Sequence, residues 1–233
     1  MKKLIVASAL SAAFVSPAVL AQAQNFEGFG LQLSTGYQHN EMKASEPTFN
    51  GSTLEDTTLG FPTTSKGEMA LNIGASYTHA FTNRFTLGAM VEYNPLSMKT
   101  GSSYLTENGV SSTSPDDRFE GKLKNQFSLS LVPGYAFNES TMGYARVGWI
   151  NATAELSSDD ETFSTSVNGV LLGLGARHLF TDNIYGFAEA TYADYGGSNA
   201  SIRSELDNGV IADIATDLTP SSYSFLVGVG VRF

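Results

Sequence analysis

The chain has 233 residues, 23 acidic against 13 basic side chains, a formal charge of -10 at pH 7 and no cysteine. That balance argues against a nucleic-acid partner, which calls for basic patches. Without cysteine there is no disulfide framework, no thiolate metal site and no lipid-modified cysteine at the start of a mature chain.

Residues 1–23 read as a secretory signal peptide. Lys2 and Lys3 precede an apolar run from Leu4 to Val15, and small residues follow. Ala21-Gln22-Ala23 fits the small-x-small cleavage rule, and Val19-Leu20-Ala21 fits nearly as well. Cleavage is therefore expected after Ala21 or Ala23, leaving 24–233 as one domain. No later stretch approaches the ~20 apolar residues that a membrane helix needs.

From residue 26 onward apolar residues recur at every second position, the period of a strand. In 26–40, Phe29, Leu31, Leu33 and Tyr37 alternate with Gly30, Gln32, Ser34 and Gly36. In 67–81, Met69, Leu71, Ile73 and Tyr77 alternate with Ala70, Asn72, Gly74 and Thr78. The segment 84–99 sets Phe85, Leu87, Val91 and Tyr93 against Thr86, Gly88, Met90 and Glu92. The next, 119–137, sets Phe127, Leu129 and Leu131 against Gln126, Ser128 and Ser130. In 142–156, Val147 and Trp149 oppose Arg146 and Gly148; in 164–180, Val170, Leu172 and Leu174 oppose Gly173, Gly175 and Arg177. The weakest, 184–197, is phased by Glu189: if it points inward, Ala188, Ala190 and Tyr192 point outward. The last, 221–233, carries Tyr223, Phe225, Val227, Val229, Val231 and Phe233 on one face.

The links alternate in length. FTNRF, FNESTMGY and FTDNIYGF are tight polar turns flanked by aromatics, whereas 43–66, 100–118, 157–163 and 198–220 are mostly long, polar and acidic. Aromatics cluster at segment ends: Phe81, Phe85, Phe137, Tyr144, Phe180 and Tyr185 by the turns, and Tyr37, Tyr93, Tyr192 and Tyr223 toward the loops. A soluble β-sandwich also gives alternating strands, but it needs neither the regular short-long links nor rings of aromatics at two boundaries. The pattern predicts an all-β fold, an eight-stranded antiparallel transmembrane β-barrel with short periplasmic turns and long extracellular loops. Pro133 is its one misfit, because a closed barrel has no edge to hide a missing donor.

With its leader, eight alternating segments and terminal VGVGVRF, the chain resembles the small outer-membrane β-barrel family of Gram-negative bacteria, the OmpA/OmpX-type and opacity-type surface proteins. The resemblance implies a place in the outer membrane among its lipid and lipopolysaccharide. It also implies that the outer-membrane assembly machinery reads the final strand at Tyr223, Phe225, Val229, Val231 and Phe233.

Inward charges are the most distinctive polar feature. Arg146, Arg177 and Glu189 fall on consecutive strands near tight turns, with Glu92 higher and Arg232 lower. An unpaired charge in a narrow barrel costs several kcal/mol, so an ion-pair cluster plugging the lumen is expected; a switchable gate is the competing reading. Catalysis is not expected, since His39, His79 and His178 show no nucleophile and acid at triad positions. Asp116-Asp117 and Asp159-Asp160-Glu161 lack calcium-loop spacing, so neither a metal nor a cofactor is expected. The long acidic loops, whose Tyr104 and Phe163 read equally as partner anchors or as caps on the barrel, point to a host or cell-surface partner in adhesion or envelope integrity. The alternative is a small porin-like channel for hydrophilic solutes.

Overall fold

The computed structural model describes residues 23–233 except 45–47, 51–58, 61, 105, 108–109, 115–117, 158–161 and 206–210. Residues 1–22, both acidic loop clusters and the side chain of Phe163 thus lie outside the described residues. Eight long strands build the wall: β1 Gly28–Ala44, β2 Thr64–Ala80, β3 Phe85–Asn94, β4 Arg118–Ala136, β5 Thr141–Ser157, β6 Thr162–Leu179, β7 Ile184–Tyr195 and β8 Ile211–Arg232. Each pairs antiparallel with the next in the chain. β1 then pairs with β8 from Gly30↔Arg232 to Ala44↔Leu218, which closes the sheet into a barrel.

The alternation sets the two faces. Leu31, Leu33, Ile73, Leu129, Leu172, Leu174, Phe225 and Val229 lie on the outer surface, each about half exposed or more. Gln32, Ser34, Asn72, Ser128, Ser130 and Ser224 are buried inside. An exposed apolar band of this size suits hydrocarbon, and hydrocarbon in turn demands a closed sheet, because an unpaired backbone group there costs several kcal/mol.

Two irregularities depart from strict period two. Asn125 adopts φ 51°, and the β4–β5 register shifts between Asn151 and Thr153. This bulge inserts one residue, so Gln126 and Ser128 face inward below it while Leu123, Gly121 and Phe119 face inward above it. Pro133 pairs with Leu87 on one side; on the other, the recorded ladder jumps from Tyr144↔Gly134 to Val147↔Leu131. The missing donor thus falls in a short gap close to the turn end.

At the loop end the wall continues. Short strands Thr48–Asn50 and Ser198–Glu205 pair with β8, and Met98–Tyr104 pairs with β4. If the outer face lies in hydrocarbon, Val227→Arg, midway between Tyr223 and Val231, is expected to cost about 2–4 kcal/mol. A lowered urea midpoint for folding into lipid vesicles would report it. Ser221→Arg, beyond the band, should be nearly neutral.

Candidate functional site

The interior is occupied along its length, and each level uses different chemistry. At mid-height Arg146 is 2% exposed. Its Nη1 donates to Glu189 Oε1 at 2.8 Å and to Glu92 Oε1 at 3.1 Å. Its Nε donates to Ser130 Oγ at 3.1 Å and its Nη2 to Ser128 Oγ at 2.7 Å. One cation thus faces two carboxylates, on β3 and β7, and the small serines of β4 leave room for the guanidinium. Above the triad lies a cavity of about 30 Å³ lined by Gln38, Asn72, Asn94, Gln126 and Ser128, space for one or two water molecules.

Arg177 and Arg232 stand apart from this triad. Arg177 pairs in register with Met142, four residues below Arg146 on β5, and so sits too low for a shared contact. Its Cζ lies 4.2 Å from the ring centre of Tyr185 and 5.9 Å from that of Tyr144, and its Nε lacks a hydrogen-bond partner among the described residues. The rings act in place of a carboxylate. Arg232 serves the turn end. Its Nε and Nη2 donate to Asp182 O, and its Nη1 donates to Glu27 O at 2.8 Å.

Tyr144 and Tyr185 require a correction. Both were expected in the boundary ring, but they are buried inside, at 6% and 1% exposure. Their phase decides it: Tyr144 is two residues from Arg146, and Tyr185 four from Glu189, so each shares the inner face. Glycines admit the rings. A Cβ on Gly175 would lie 2.4 Å from Tyr144 Cζ, and one on Gly230 would lie 2.2 Å from Tyr185 Cζ. The other expected ring members, Phe81, Phe85, Phe137 and Phe180, are exposed on the outer face.

Both mouths are closed by segments that the strand pattern did not reveal. At the turn end Ala23–Phe26 forms one 3₁₀ turn, and Phe26 is buried with Met90, Val132, Met142 and Tyr144. At the loop end Met98 folds inward beside Ala70 and Leu226, and Thr100 is fully buried next to it. Asn40 Nδ2 donates to Lys99 O at 3.5 Å, Lys99 N–H donates to Glu68 Oε2 at 2.7 Å, and Gly101 supplies the turn at φ 107°. Beneath this cover an apolar cluster, Met42, Leu123, Ile150, Val167, Leu171 and Tyr195, packs beside the buried Gln38, Asn40 and Gln126. An inner face of mostly small or polar residues was expected. The bulge at Asn125 and the phase of Ile150 and Leu171 put oil there instead.

The three histidines lie on the outer face near the barrel rims. His39 Nδ1 is 3.4 Å from Tyr37 Oη, and its ring stacks on Tyr223. His79 meets Glu27 at 3.1 Å, and His178 Nδ1 meets Thr141 Oγ1 at 2.9 Å. His79 has an acid, and His39 and His178 each have a hydroxyl; among the described residues no histidine has both, as a triad would need. No group of three potential metal ligands occurs among them either.

Two outcomes test this interior. Glu189→Ala removes one carboxylate from a buried guanidinium and is expected to cost roughly 3–5 kcal/mol in urea unfolding from lipid vesicles. The triple change E92Q/R146M/E189Q should cost less, because no charge is left stranded. At the turn end the His79 hydrogen bond, with that of the Ala80 N–H, holds the Glu27 carboxyl below its usual 4.5. A lowered carboxylate stabilises the fold above its unfolded value and stops doing so as pH falls through the folded one. Amide-exchange protection at Ala80 should therefore hold above pH 4.5 and fade below it. Glu27→Gln should remove that pH dependence.

Comparison with known proteins agrees on architecture. OprG from Pseudomonas aeruginosa superposes with a TM-score of 0.53 at 15% identity, covering 93% of this chain and 99% of that one. Ail of Yersinia pestis, in complex with the heparin analogue sucrose octasulfate, gives 0.45 at 19% identity over 89% and 99%. Neisserial surface protein A gives 0.47 at 15% identity over 89% and 98%. No curated protein matches the sequence. The sequence profile of the outer membrane protein beta-barrel domain matches residues 5–233, and the chain belongs to that family.

Proposed function

We propose that the protein is a non-enzymatic, non-conducting surface protein of the Gram-negative outer membrane, acting through its acidic extracellular side in adhesion, host or cell-surface contact, or envelope integrity. One observation carries this reading: the barrel axis is crossed by the buried Glu92–Arg146–Glu189 triad. Solute passage would have to break two ion pairs inside a low-dielectric interior, besides displacing Phe26 and Met98. A diffusion channel for hydrophilic solutes is the second reading, and the triad opposes it.

The extracellular side offers what the lumen does not. From Trp149, which meets Phe127 edge to face, β5 runs eight residues further to Ser157, roughly 26 Å of strand at the usual rise. The adjoining loops carry Asp116, Asp117, Asp159, Asp160 and Glu161, which suit a basic patch on a partner and disfavour a sulfated glycan. Lipid contact fits the outer face. Lys99, Lys122 and Lys124 lie above Phe127 and Trp149, each beside Glu120 or Glu155, where headgroup phosphates of lipopolysaccharide would sit. Tyr223, Phe225, Val229, Val231 and Phe233 share the exposed face of β8, accessible to assembly machinery that reads alternate positions. Export in this reading uses a cleaved leader.

Planar-bilayer recording of the refolded protein is expected to show no reproducible large open state; a stable one would overturn the non-conducting reading. Adhesion of cells displaying the protein should fall for the acid-to-amide variant D159N/D160N/E161Q. Its heat-modifiable gel migration should stay unchanged, since closure rests on the β1–β8 ladder from Gly30↔Arg232 to Ala44↔Leu218.

A further inference from the structure

The segment just before β1 is fastened more thoroughly than a chain lead-in requires. Ala23 is 0% exposed, and its N–H donates to Asn83 O at 2.9 Å, in the turn between β2 and β3. Asn25 Nδ2 donates to Glu139 O at 3.0 Å, in the turn between β4 and β5. Glu27 O accepts from Arg232, which also holds Asp182 in the third turn. The Glu27 carboxylate takes His79 and the Ala80 N–H. Phe26 fills the centre at 1% exposure. Five residues thus tie together all three periplasmic turns and seat an aromatic ring among Met90, Val132 and Met142.

We propose that Ala23–Glu27 is a periplasmic stopper belonging to the mature protein, and that leader processing therefore cuts between Ala21 and Gln22. This rests on the reading that the chain is exported with a cleaved leader. Sequence rules allow the cut after Ala21 or after Ala23. The peptidase meets an extended chain, so the two cuts are distinguished by the product that each leaves to fold. A cut after Ala23 removes the buried alanine and its hydrogen bond to Asn83. An empty alanine site leaves Phe26 poorly packed. A cut after Ala21 keeps Ala23 as an ordinary amide, with its N–H free to donate to Asn83, and leaves the new amine on Gln22. In the cut, water adds across the Ala21–Gln22 amide, leaving a carboxylate on Ala21 and an amine on Gln22.

The full chain is expressed with its own leader in a Gram-negative host, and the barrel is purified from outer membranes. Intact mass and amino-terminal sequencing are expected to give a start at Gln22. A start at Gln24, or at any other cleaved position, overturns the assigned cut while leaving the exported reading in place; an uncleaved chain beginning at Met1 overturns both. The stopper has its own readout. Chains refolded with starts at Gln22 and at Gln24 are compared by the temperature at which heat-modifiable migration is lost. A downward shift for the Gln24 start is expected, and equal temperatures overturn the stopper.

Discussion

Backbone hydrogen bonding in hydrocarbon is the constraint from which the rest follows. Water cannot satisfy a free N–H or C=O there, so the sheet has to close. Closure falls to β1 and β8, paired without a break from Gly30↔Arg232 to Ala44↔Leu218. Eight strands fix a narrow cylinder whose interior side chains are enough to fill it. The inside therefore behaves as a protein core, even though its wall was selected to be less oily than its outside.

A core that contains charge has to partner it. Arg146 does so with two carboxylates and two serine hydroxyls, using four of its five N–H donors. Arg177, one layer lower, has the rings of Tyr185 and Tyr144. These solutions are coupled, because Tyr144 lies between the levels and Gly175 and Gly230 are small so that the rings fit. Each end then takes the chemistry its surroundings allow. The periplasmic mouth is stopped by one phenylalanine held by backbone hydrogen bonds at the turns. The extracellular mouth is covered by Met98 and Thr100 over an apolar layer.

The strand pattern was legible because each β-strand writes its two faces into alternate letters, and lipid outside makes that contrast strong. Leu31 against Gln32 and Leu129 against Ser130 are readable without any partner. Depth was less legible. Arg177 is three residues from Phe180, whereas Arg146 is nine from Phe137, and only the register shows that Arg177 faces Met142. Tyr144 and Tyr185 were misplaced because nearness to a turn was weighed above phase. The bulge at Asn125 left no periodic mark, since one residue in the left-handed region is enough to invert everything above it. Phe26 and Met98 are single apolar residues in short segments, where no period exists to read. The signal that could have found Phe26 is an aromatic two residues before the first strand, beside Glu27, in a chain with three polar turns.

The interior's completeness bears on where variation can occur. A substitution at Arg146, Glu189 or Tyr185 disturbs several neighbours at once, so the lumen is a poor place to build new recognition. The extracellular rim has the opposite character. The β1–β8 ladder continues five residues beyond the His39↔Tyr223 pair, roughly 17 Å of strand above the aromatic boundary. The rim is thus hydrogen-bonded well beyond the point where it leaves the membrane. A stiff, closed, self-supporting wall beneath acidic loops lets their sequence change without cost to closure. The triad, although it is the most distinctive polar feature, thus acts as support, and in the proposed function contact chemistry belongs above it.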